Sequence, residues 1–180
     1  MKKAKLKKTL EALLFVSSSP ISSSQIAEAF GIREERMVRD VLEELKADCV
    51  AEDRGIRIME IAGGWRITTS SELAPVLKKW FKGQRSRLSR AALETLSIVA
   101  YRQPVTRSEV EAIRGVNVEG ALGTLLERGL ARITGRKEAP GRPMLYGTTR
   151  LFLEHFGLNT LKDLPVLTEH QEQNAVEPKV

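Results

Sequence analysis

The sequence is poor in the residues from which catalytic and metal centres are usually built. Its 180 residues include one cysteine, Cys49, and two histidines, His155 and His170. One cysteine excludes an internal disulfide, and this small set of His and Cys cannot supply a structural zinc site. No Walker loop, dinucleotide-binding glycine fingerprint or nucleophile elbow is present. We therefore expect a protein that is not an enzyme and that holds neither metal nor cofactor.

Long hydrophobic runs are also missing. No apolar run approaches the roughly 18 residues that a membrane-spanning helix needs. The lysine-rich start resembles a signal peptide, but Glu11 interrupts the apolar patch and the same pattern recurs inside the chain. The composition, with 42% hydrophobic and 29% charged residues, is typical of a globular protein. We expect a cytoplasmic location and no membrane contact.

The first half of the chain predicts three helices. An amphipathic first helix ends before Pro20, and a short second helix, with Ile26 and Ala29 facing inward, closes at Gly31. One of the serines at 22 to 24 can cap this second helix. The third helix runs from about Arg33 to Ala47, and its periodicity places five apolar residues on one stripe: Met37, Val38, Val41, Leu42 and Leu45.

An alternating segment follows the third helix and predicts a β-hairpin. Residues 56–69 read IRIMEIAGGWRITT, and Gly63-Gly64 between two β-prone runs is a strong turn signal. Three helices followed by a hairpin form a winged helix-turn-helix. Residues from Leu73 to Phe81 then predict a further helix with an apolar face.

The second half predicts the same arrangement. Ser89 can cap a helix that Gln103-Pro104 stops, and Thr106 with Glu109 has the form of a capping box for the next helix, which Gly115 ends. A third helix is predicted from a cap at Asn117 to Gly129, and its stripe includes Val118, Ala121, Leu122, Leu125 and Leu126. The strand-like runs Leu130 to Ile133 and Met144 to Tyr146 flank a Gly/Pro-rich loop, Gly135 to Pro143.

The two halves match in residues as well as in pattern. Pro20-Ile21-Ser22 corresponds to Pro104-Val105-Thr106, and Gly31 corresponds to Gly115. A repeat of this size predicts two copies of one domain in tandem. The fold class that follows is mainly α with small β-hairpin wings, an α+β chain with two tandem winged helix-turn-helix domains. We place an N-terminal domain at 1–82, a basic linker at 83–88, a C-terminal domain at 89–167 and a disordered tail at 168–180.

The positive charge is concentrated in two stretches. The net charge is +6, yet residues 1–8 hold five lysines and residues 78–90 hold six basic residues without an acid, so the rest of the chain is net negative. Neither third helix is basic, although a DNA reader needs donors there for phosphates and base edges. The second stretch could touch phosphate weakly and without specificity, but such a run is more often a solvated surface. Its residues are Lys78, Lys79, Lys82, Arg85, Arg87 and Arg90.

Tyr101-Arg102-Gln103-Pro104 has two interpretations. As a helix end, it places Arg102 near the negative pole of the helix dipole and uses Pro104 as the stop. As a partner contact, it offers a tyrosine and an arginine, which are frequent anchors of protein interfaces. Both interpretations can hold together.

Several long motifs resemble one family. The segments LSRAALETLSIVAYRQPVTRSEVEAIRGVNVEGALGTLLERGL, GRKEAPGRPMLYGTT and FLEHFGLNTLKDLPVL are similar to bacterial segregation and condensation protein B. EALLFVSSSPIS and GGWRITT in the first half fit the same family, so the resemblance covers about residues 6–167. It implies a non-enzymatic subunit of the SMC–kleisin condensin complex that acts in chromosome condensation and segregation at the nucleoid.

The resemblance also implies partners. In this family the N-terminal domain forms a homodimer, and the C-terminal domain binds the central segment of the kleisin, segregation and condensation protein A, which bridges the SMC ATPase heads. Our candidates for the kleisin contact are Tyr101, Arg102, Arg107, Arg142 and Tyr146. For the dimer we select Leu6, Leu10 and Trp65.

Two other functions compete with this interpretation. A tandem winged-helix transcriptional regulator would bind DNA tightly, with sequence dependence and a steep dependence on salt. A winged-helix pair could also bind an unrelated cytoplasmic protein. The scaffold function requires at most weak, sequence-independent contact with DNA.

Overall fold

The computed structural model describes residues 3–80 and 88–166, and the chain divides into two compact units, Met1–Arg85 and Ser86–Val180. Each unit contains three helices followed by a β-hairpin, so the predicted α+β fold with two winged-helix units is confirmed. Most of the predicted linker at 83–88, the predicted tail at 168–180 and the basic residues Lys82, Arg85 and Arg87 lie outside the described residues.

Between residues 3 and 80, the N-terminal unit contains four α-helices and two antiparallel strands. The elements are α1 (Lys3–Val16), α2 (Ser23–Ala29), α3 (Glu35–Ala51), β1 (Ile56–Ile61), β2 (Gly64–Thr69) and, after a 3₁₀ turn at Ser71–Leu73, α4 (Ala74–Trp80). Ser22 begins α2 with a capping box, because its hydroxyl accepts from Gln25 N while the Gln25 side chain accepts from Ser22 N. Ile21 also forms an isolated bridge to Trp65, beside β2.

One apolar cluster forms the core of this unit. It joins the inward stripes of α1 and α3 to residues of α2 and of the hairpin, where burial of apolar surface stabilises the fold. Its principal members are Leu6, Leu10, Leu14, Ile26, Val38, Val41, Leu42, Leu45, Ile58 and Trp65.

Three details differ from the predictions for this unit. Ala27 is buried and Ala29 is exposed, and Met37 lies at the edge of its stripe with its side chain in solvent. The helix α3 continues one turn beyond Ala47 to Ala51. Each difference is small because periodicity identifies the apolar face better than it identifies the last residue of a face or helix.

The turn of the first hairpin is shifted by one residue from the predicted Gly63-Gly64. Ile61 pairs with Gly64, so the two loop residues are Ala62 and Gly63, with φ of 52° and 74°. A two-residue turn of this kind needs positive φ at both loop positions. Gly64 is instead required by space, since a Cβ there would lie 2.9 Å from Ile21 N.

The C-terminal unit repeats the order and completes a three-stranded sheet. Its elements are α5 (Arg90–Arg102), β3 (Val105–Thr106), α6 (Arg107–Arg114), α7 (Glu119–Glu127), β4 (Ala131–Arg136), β5 (Met144–Thr148), α8 (Arg150–Phe156) and a 3₁₀ turn at Leu161–Asp163. The strand order is β3-β5-β4, and both pairings are antiparallel. The sequence did not predict β3, because two residues show no periodicity.

The predicted helix boundaries of this unit follow side-chain caps. The Ser89 hydroxyl accepts from Ala92 N, and Thr106 and Glu109 form the expected capping box. Gly115 and Gly129 adopt φ of 69° and 65°, which favours glycine after a helix. The predicted cap of α7 at Asn117 is wrong by one residue, because the N-cap is Val118, which makes no side-chain cap hydrogen bond, while Asn117 Oδ1 accepts from Glu119 N at 2.9 Å.

Candidate partner-binding surfaces

A shallow groove of about 380 Å³ lies on the C-terminal unit. The end of α5 contributes Arg102, the segment leading into β3 contributes Pro104 and Val105, and α6 contributes Glu109 and Ile113. Val105 is buried beneath the groove, whereas Arg102 and Pro104 are exposed. The groove therefore combines apolar surface with one cation and one anion.

Ile113 provides apolar surface that the fold does not use. The helix α6 packs through Val110, which is fully buried, while Ile113 is 46% exposed, although the sequence predicted it on the inward face. Arg102 makes no ion pair with any residue between 3 and 80 or 88 and 166. Both side chains are thus available to a partner.

Glu109 is held in one position. Its carboxylate accepts from Lys137 Nζ at 2.5 Å, from Thr106 N at 2.8 Å and from Thr106 Oγ1 at 2.9 Å. The Lys137 hydrogen bond, followed by those from Thr106, lowers the pKa of Glu109 to about 2. Glu109 is therefore ionised at neutral pH and its charge is paired with that of Lys137, a contact that attaches the hairpin to α6.

Arg107 links two helices of the unit. Its Nε donates to Glu111 Oε1 at 2.8 Å, and its Nη1 lies 3.0 Å from Glu119 Oε2. Glu111 also accepts from Val118 N at 3.2 Å. The Glu111 hydrogen bond raises the pKa of Arg107, and the Arg107 hydrogen bond lowers the pKa of Glu111. The guanidinium therefore fixes the start of α7 against α6.

The other predicted kleisin contacts occupy different environments. Tyr101 donates its hydroxyl to Pro165 O at 2.8 Å, so it anchors the segment that follows α8. Tyr146 is 9% exposed and pairs with Val105 on the neighbouring strand. Arg142 lies exposed in the loop between β4 and β5, with φ of 41°. Of the five residues, Arg102 is the one that lines the groove.

The sequence did not identify Glu109 and Ile113 as groove residues. Glu109 was recognised as a capping residue, but its second partner, Lys137, is 28 positions away and lies on a different element. Ile113 has the spacing of an inward residue on a helix of only eight residues. Neither position carries a local signal that would distinguish it from a structural residue.

The three residues chosen for the dimer lie in the core. Leu6, Leu10 and Trp65 are each at most 1% exposed and pack within the N-terminal unit. Trp65 Nε1 also donates to Ser23 Oγ at 3.1 Å. This corrects their selection as surface contacts, because side chains that fill a unit's own core cannot also touch a second copy directly.

Other apolar residues of this unit are exposed. Phe15, near the end of α1, is 79% exposed, and Trp80, at the end of α4, is 85% exposed. Val16 and Val76 are also largely exposed, and α4 has no buried residue. Val76 and Trp80 are four residues apart and thus share one helix face.

The described basic residues of the stretch 78–90 lie at helix ends. Lys78 and Lys79 are exposed in the last turn of α4, whereas Arg90 pairs with Glu94 at 2.8 Å on α5. The helix α7 contains Glu119 and Glu127 and no cation.

Between residues 3 and 80 and between 88 and 166, there is no group of three or more side chains able to hold a metal ion. Within the same ranges no helix has the length and apolarity needed to cross a membrane.

Comparison with known proteins identifies the family. Residues 8–167 match the family model of the segregation and condensation complex subunit ScpB. Segregation and condensation protein B of Moorella thermoacetica is 49% identical over 91% of this chain and 84% of its own length, and that of Brevibacillus brevis is 50% identical over 89% and 84%.

Solved structures of related proteins give the same name. ScpB from Mycobacterium tuberculosis is 41% identical, with 88% of this chain and 98% of that chain covered and a TM-score of 0.43. In the crystal structure of a dimer of an ScpB N-terminal domain complexed with an ScpA peptide, the matched chain is 40% identical to this one. The match covers 43% of this chain and 95% of that chain, with a TM-score of 0.40. From the family match and the identities to the curated relatives, we conclude that this chain belongs to the ScpB family of segregation and condensation complex subunits.

Proposed function

We propose that this condensin subunit is a non-enzymatic scaffold that homodimerises through its N-terminal unit and binds the central segment of the kleisin, segregation and condensation protein A, through its C-terminal unit. It contacts the SMC ATPase through the kleisin and acts at the nucleoid in the cytoplasm, in chromosome condensation and segregation during cell division. Family membership supports the complex, and the surfaces of the two units support the division of roles.

The composition of α7 is the observation that carries this proposal. In a DNA-reading winged helix the third helix enters the major groove and donates to phosphates and bases. Here α7 has Glu119 and Glu127, with Gly120 and Gly123 between them and no cation. Such a helix offers phosphate no cationic side chain, and its glycines allow another protein surface to approach closely.

The groove on the C-terminal unit is the proposed kleisin contact. Arg102 offers a cation without a partner among the described residues, Glu109 a fixed anion, and Ile113 an exposed apolar side chain. A peptide segment can pair a carboxylate with Arg102 and pack an apolar side chain on Ile113 at the same time, while Glu109 stays bound to Lys137 and Thr106.

The exposed apolar residues of the N-terminal unit are the proposed dimer contact. Val76 and Trp80 form an apolar face on α4, a helix with no buried residue. Phe15 and Val16 add a second apolar patch near the end of α1. Burying such residues against a second copy removes a large apolar area from water, which stabilises association.

The affinity for the central kleisin segment tests whether the groove is the kleisin contact. The full chain is titrated calorimetrically with the central kleisin segment, and Arg102→Ala combined with Ile113→Ala should weaken binding at least tenfold, about 1.4 kcal/mol. Arg90→Ala is the matched control, because Arg90 lies on the same helix about 18 Å away. The pair Tyr101→Ala and Arg102→Ala tests the remaining contact at the end of α5. Unchanged affinity in both double variants would contradict the assignment of this surface.

The molecular mass in solution, measured by light scattering, tests whether the chain forms a homodimer. The full chain should have twice the mass of one copy, and Val76→Glu with Trp80→Glu should reduce it to a monomer with an unchanged circular dichroism spectrum. Lys79→Glu, on the same helix, is the charge control and should remain dimeric. A monomeric parent protein would rule out the homodimer.

A DNA-binding regulator is the second candidate, favoured by the sequence pI of about 9.6 and by the exposed Lys78 and Lys79. It requires nanomolar, sequence-dependent binding that falls steeply with salt. The scaffold predicts micromolar or weaker binding without sequence preference. Titration of labelled DNA duplexes at two salt concentrations distinguishes the two functions.

A further inference from the structure

The outer edge of β4 has unused backbone hydrogen-bonding groups. Thr149 N donates to Leu130 O, and Lys137 N donates to Pro143 O, which fixes the hydrogen-bonded positions at the two ends of the β4–β5 ladder. Because such positions alternate along an antiparallel pair, counting from Leu130 shows that the N–H and C=O groups of Ala131 and Ile133 point away from β5. A β-bulge between Ile133 and Gly135 then shifts the register by one residue. Among the described residues no backbone group outside the sheet pairs with them.

The side chains along this edge are basic and apolar. Ile133 is 48% exposed, and Arg132 precedes it with its side chain on the opposite face of the strand. Arg132 and Arg136 are exposed and make no ion pair with a described residue. Arg136 Nη1 instead donates to Arg142 O at 3.0 Å, so a third exposed arginine lies close by.

These charges determine what can pair with the edge. Two copies of this chain meeting edge to edge would bring arginines against arginines, which is unfavourable at close range. An acidic strand meets the opposite charge and can also cover Ile133. A nucleic acid could neutralise the arginines, but it would leave the peptide groups unpaired and Ile133 exposed.

We propose that the outer edge of β4 binds an extended acidic peptide segment of a partner protein as an added strand. Acidic side chains on both faces of the added strand meet Arg132 and Arg136, which the bulge places on opposite faces of β4, an apolar side chain packs on Ile133, and the backbone pairs with Ala131 and Ile133. The sheet order β3-β5-β4 puts this edge on the side of the sheet opposite the groove at Pro104 and Val105. The surface is therefore separate from the proposed kleisin groove and does not depend on it.

The probe for this surface is a fluorescein-labelled synthetic octapeptide of seven glutamates with one central valine, so that acidic side chains are present on both faces of the added strand. Its fluorescence anisotropy is measured during titration with the full chain at low salt. Arg132→Glu with Arg136→Glu should weaken binding at least tenfold, and Arg33→Glu with Arg36→Glu, two exposed arginines of the N-terminal unit, should leave it unchanged. The Arg102→Ala variant should also bind the peptide normally.

A second probe separates strand pairing from attraction of charge. The same peptide with N-methyl groups on alternate residues keeps its charge but loses the donors of one edge, and it should bind at least tenfold more weakly. Hydrogen exchange should slow at Ala131 and Ile133 in the presence of the unmodified peptide. Equal affinity for both peptides, no saturable binding, loss of binding in Arg102→Ala, or tighter binding of a DNA duplex at Arg132 and Arg136 would each overturn the proposal.

Discussion

The backbones of Ile21 and Trp65 exchange two hydrogen bonds, from Trp65 N to Ile21 O at 2.8 Å and from Ile21 N to Trp65 O at 3.1 Å. In the C-terminal unit Val105 pairs with Tyr146 in the same antiparallel sense. The sequence repeat aligns Ile21 with Val105, so both units attach the segment before the second helix to the last strand of the hairpin. This contact holds the wing against the helices in each unit.

Substitution of Gly64 by alanine should break this contact in the N-terminal unit. A Cβ at this position would lie 2.9 Å from both Ile21 N and Pro20 C, and backbone atoms cannot move aside cheaply. We expect Gly64→Ala to lower the free energy of unfolding by about 1–3 kcal/mol. Urea denaturation of the full chain, followed by circular dichroism, measures the change.

Gly123→Ala is the control for that measurement, because a Cβ at Gly123 would meet no atom within 4 Å and the residue lies inside α7. Alanine is a better helix former than glycine, so this variant should be more stable by roughly 0.5–1 kcal/mol. Destabilisation of both variants to the same degree would show that crowding near Ile21 is not the cause.

The hydrogen bond from Trp65 Nε1 to Ser23 Oγ should couple the two residues energetically. Both side chains are buried, so this hydrogen bond is shielded from water. We expect Trp65→Phe to lower the free energy of unfolding more in the parent protein than in the Ser23→Ala variant. The coupling energy between the two residues should be about 0.5–1.5 kcal/mol. A double-mutant cycle from urea denaturation measures it, and purely additive effects would show that the bond contributes nothing.

The side chain of Gln103 connects the end of β5 to the end of α5 through hydrogen bonds. Its Oε1 accepts from Thr148 N at 2.8 Å, and its Nε2 donates to Ala100 O and to Thr148 Oγ1, each at 3.0 Å. Gly147 leaves the required space, because a Cβ there would lie 2.9 Å from Gln103 Oε1.

Replacement of Gln103 by alanine should therefore leave Thr148 N buried without an acceptor and cost about 1–3 kcal/mol of unfolding free energy. Gln25→Ala is a comparison at an exposed glutamine and should cost less, because water can replace its contacts. Thermal denaturation of both variants provides the measurement. A smaller loss for Gln103→Ala than for Gln25→Ala would contradict this role.

The sequence predicted local structure well because its determinants are local. The capping box at Thr106 and Glu109 and the glycine stop at Gly115 depend on residues within one turn of each other. Contacts between distant positions, such as Glu109 with Lys137 or Gln103 with Thr148, have no local pattern. The groove depends on such contacts, which explains why its residues were only partly identified.

The candidate dimer residues also show what sequence alone cannot predict, namely whether an apolar side chain is buried in the core or exposed at an interface. Leu6, Leu10 and Trp65 are large and apolar, which makes them equally suitable for a core or for an interface. Composition cannot distinguish these two uses, whereas burial can. Trp80 has the same chemistry but remains exposed, because the short α4 packs no residue into the core of its unit.

Acid should weaken the attachment of α1 to α3 through Glu44. Its carboxylate lies 2.8 Å from Lys3 Nζ and 2.9 Å from Lys7 Nζ, and these hydrogen bonds, that of Lys3 first, lower the pKa of Glu44 from 4.5 to about 2. A depressed carboxyl pKa contributes stability above the unfolded value near 4.5, and that stability is lost as the pH falls through about 2.

The difference in unfolding free energy between the parent protein and Glu44→Gln should accordingly be constant near neutral pH and shrink between about pH 4.5 and pH 2. Urea denaturation at a series of pH values measures it. Because both lysines are partly exposed, 1 M NaCl should reduce the difference at pH 7 by screening. A difference that grows on acidification would show that Lys3 and Lys7 do not favour the charged carboxylate in the folded protein.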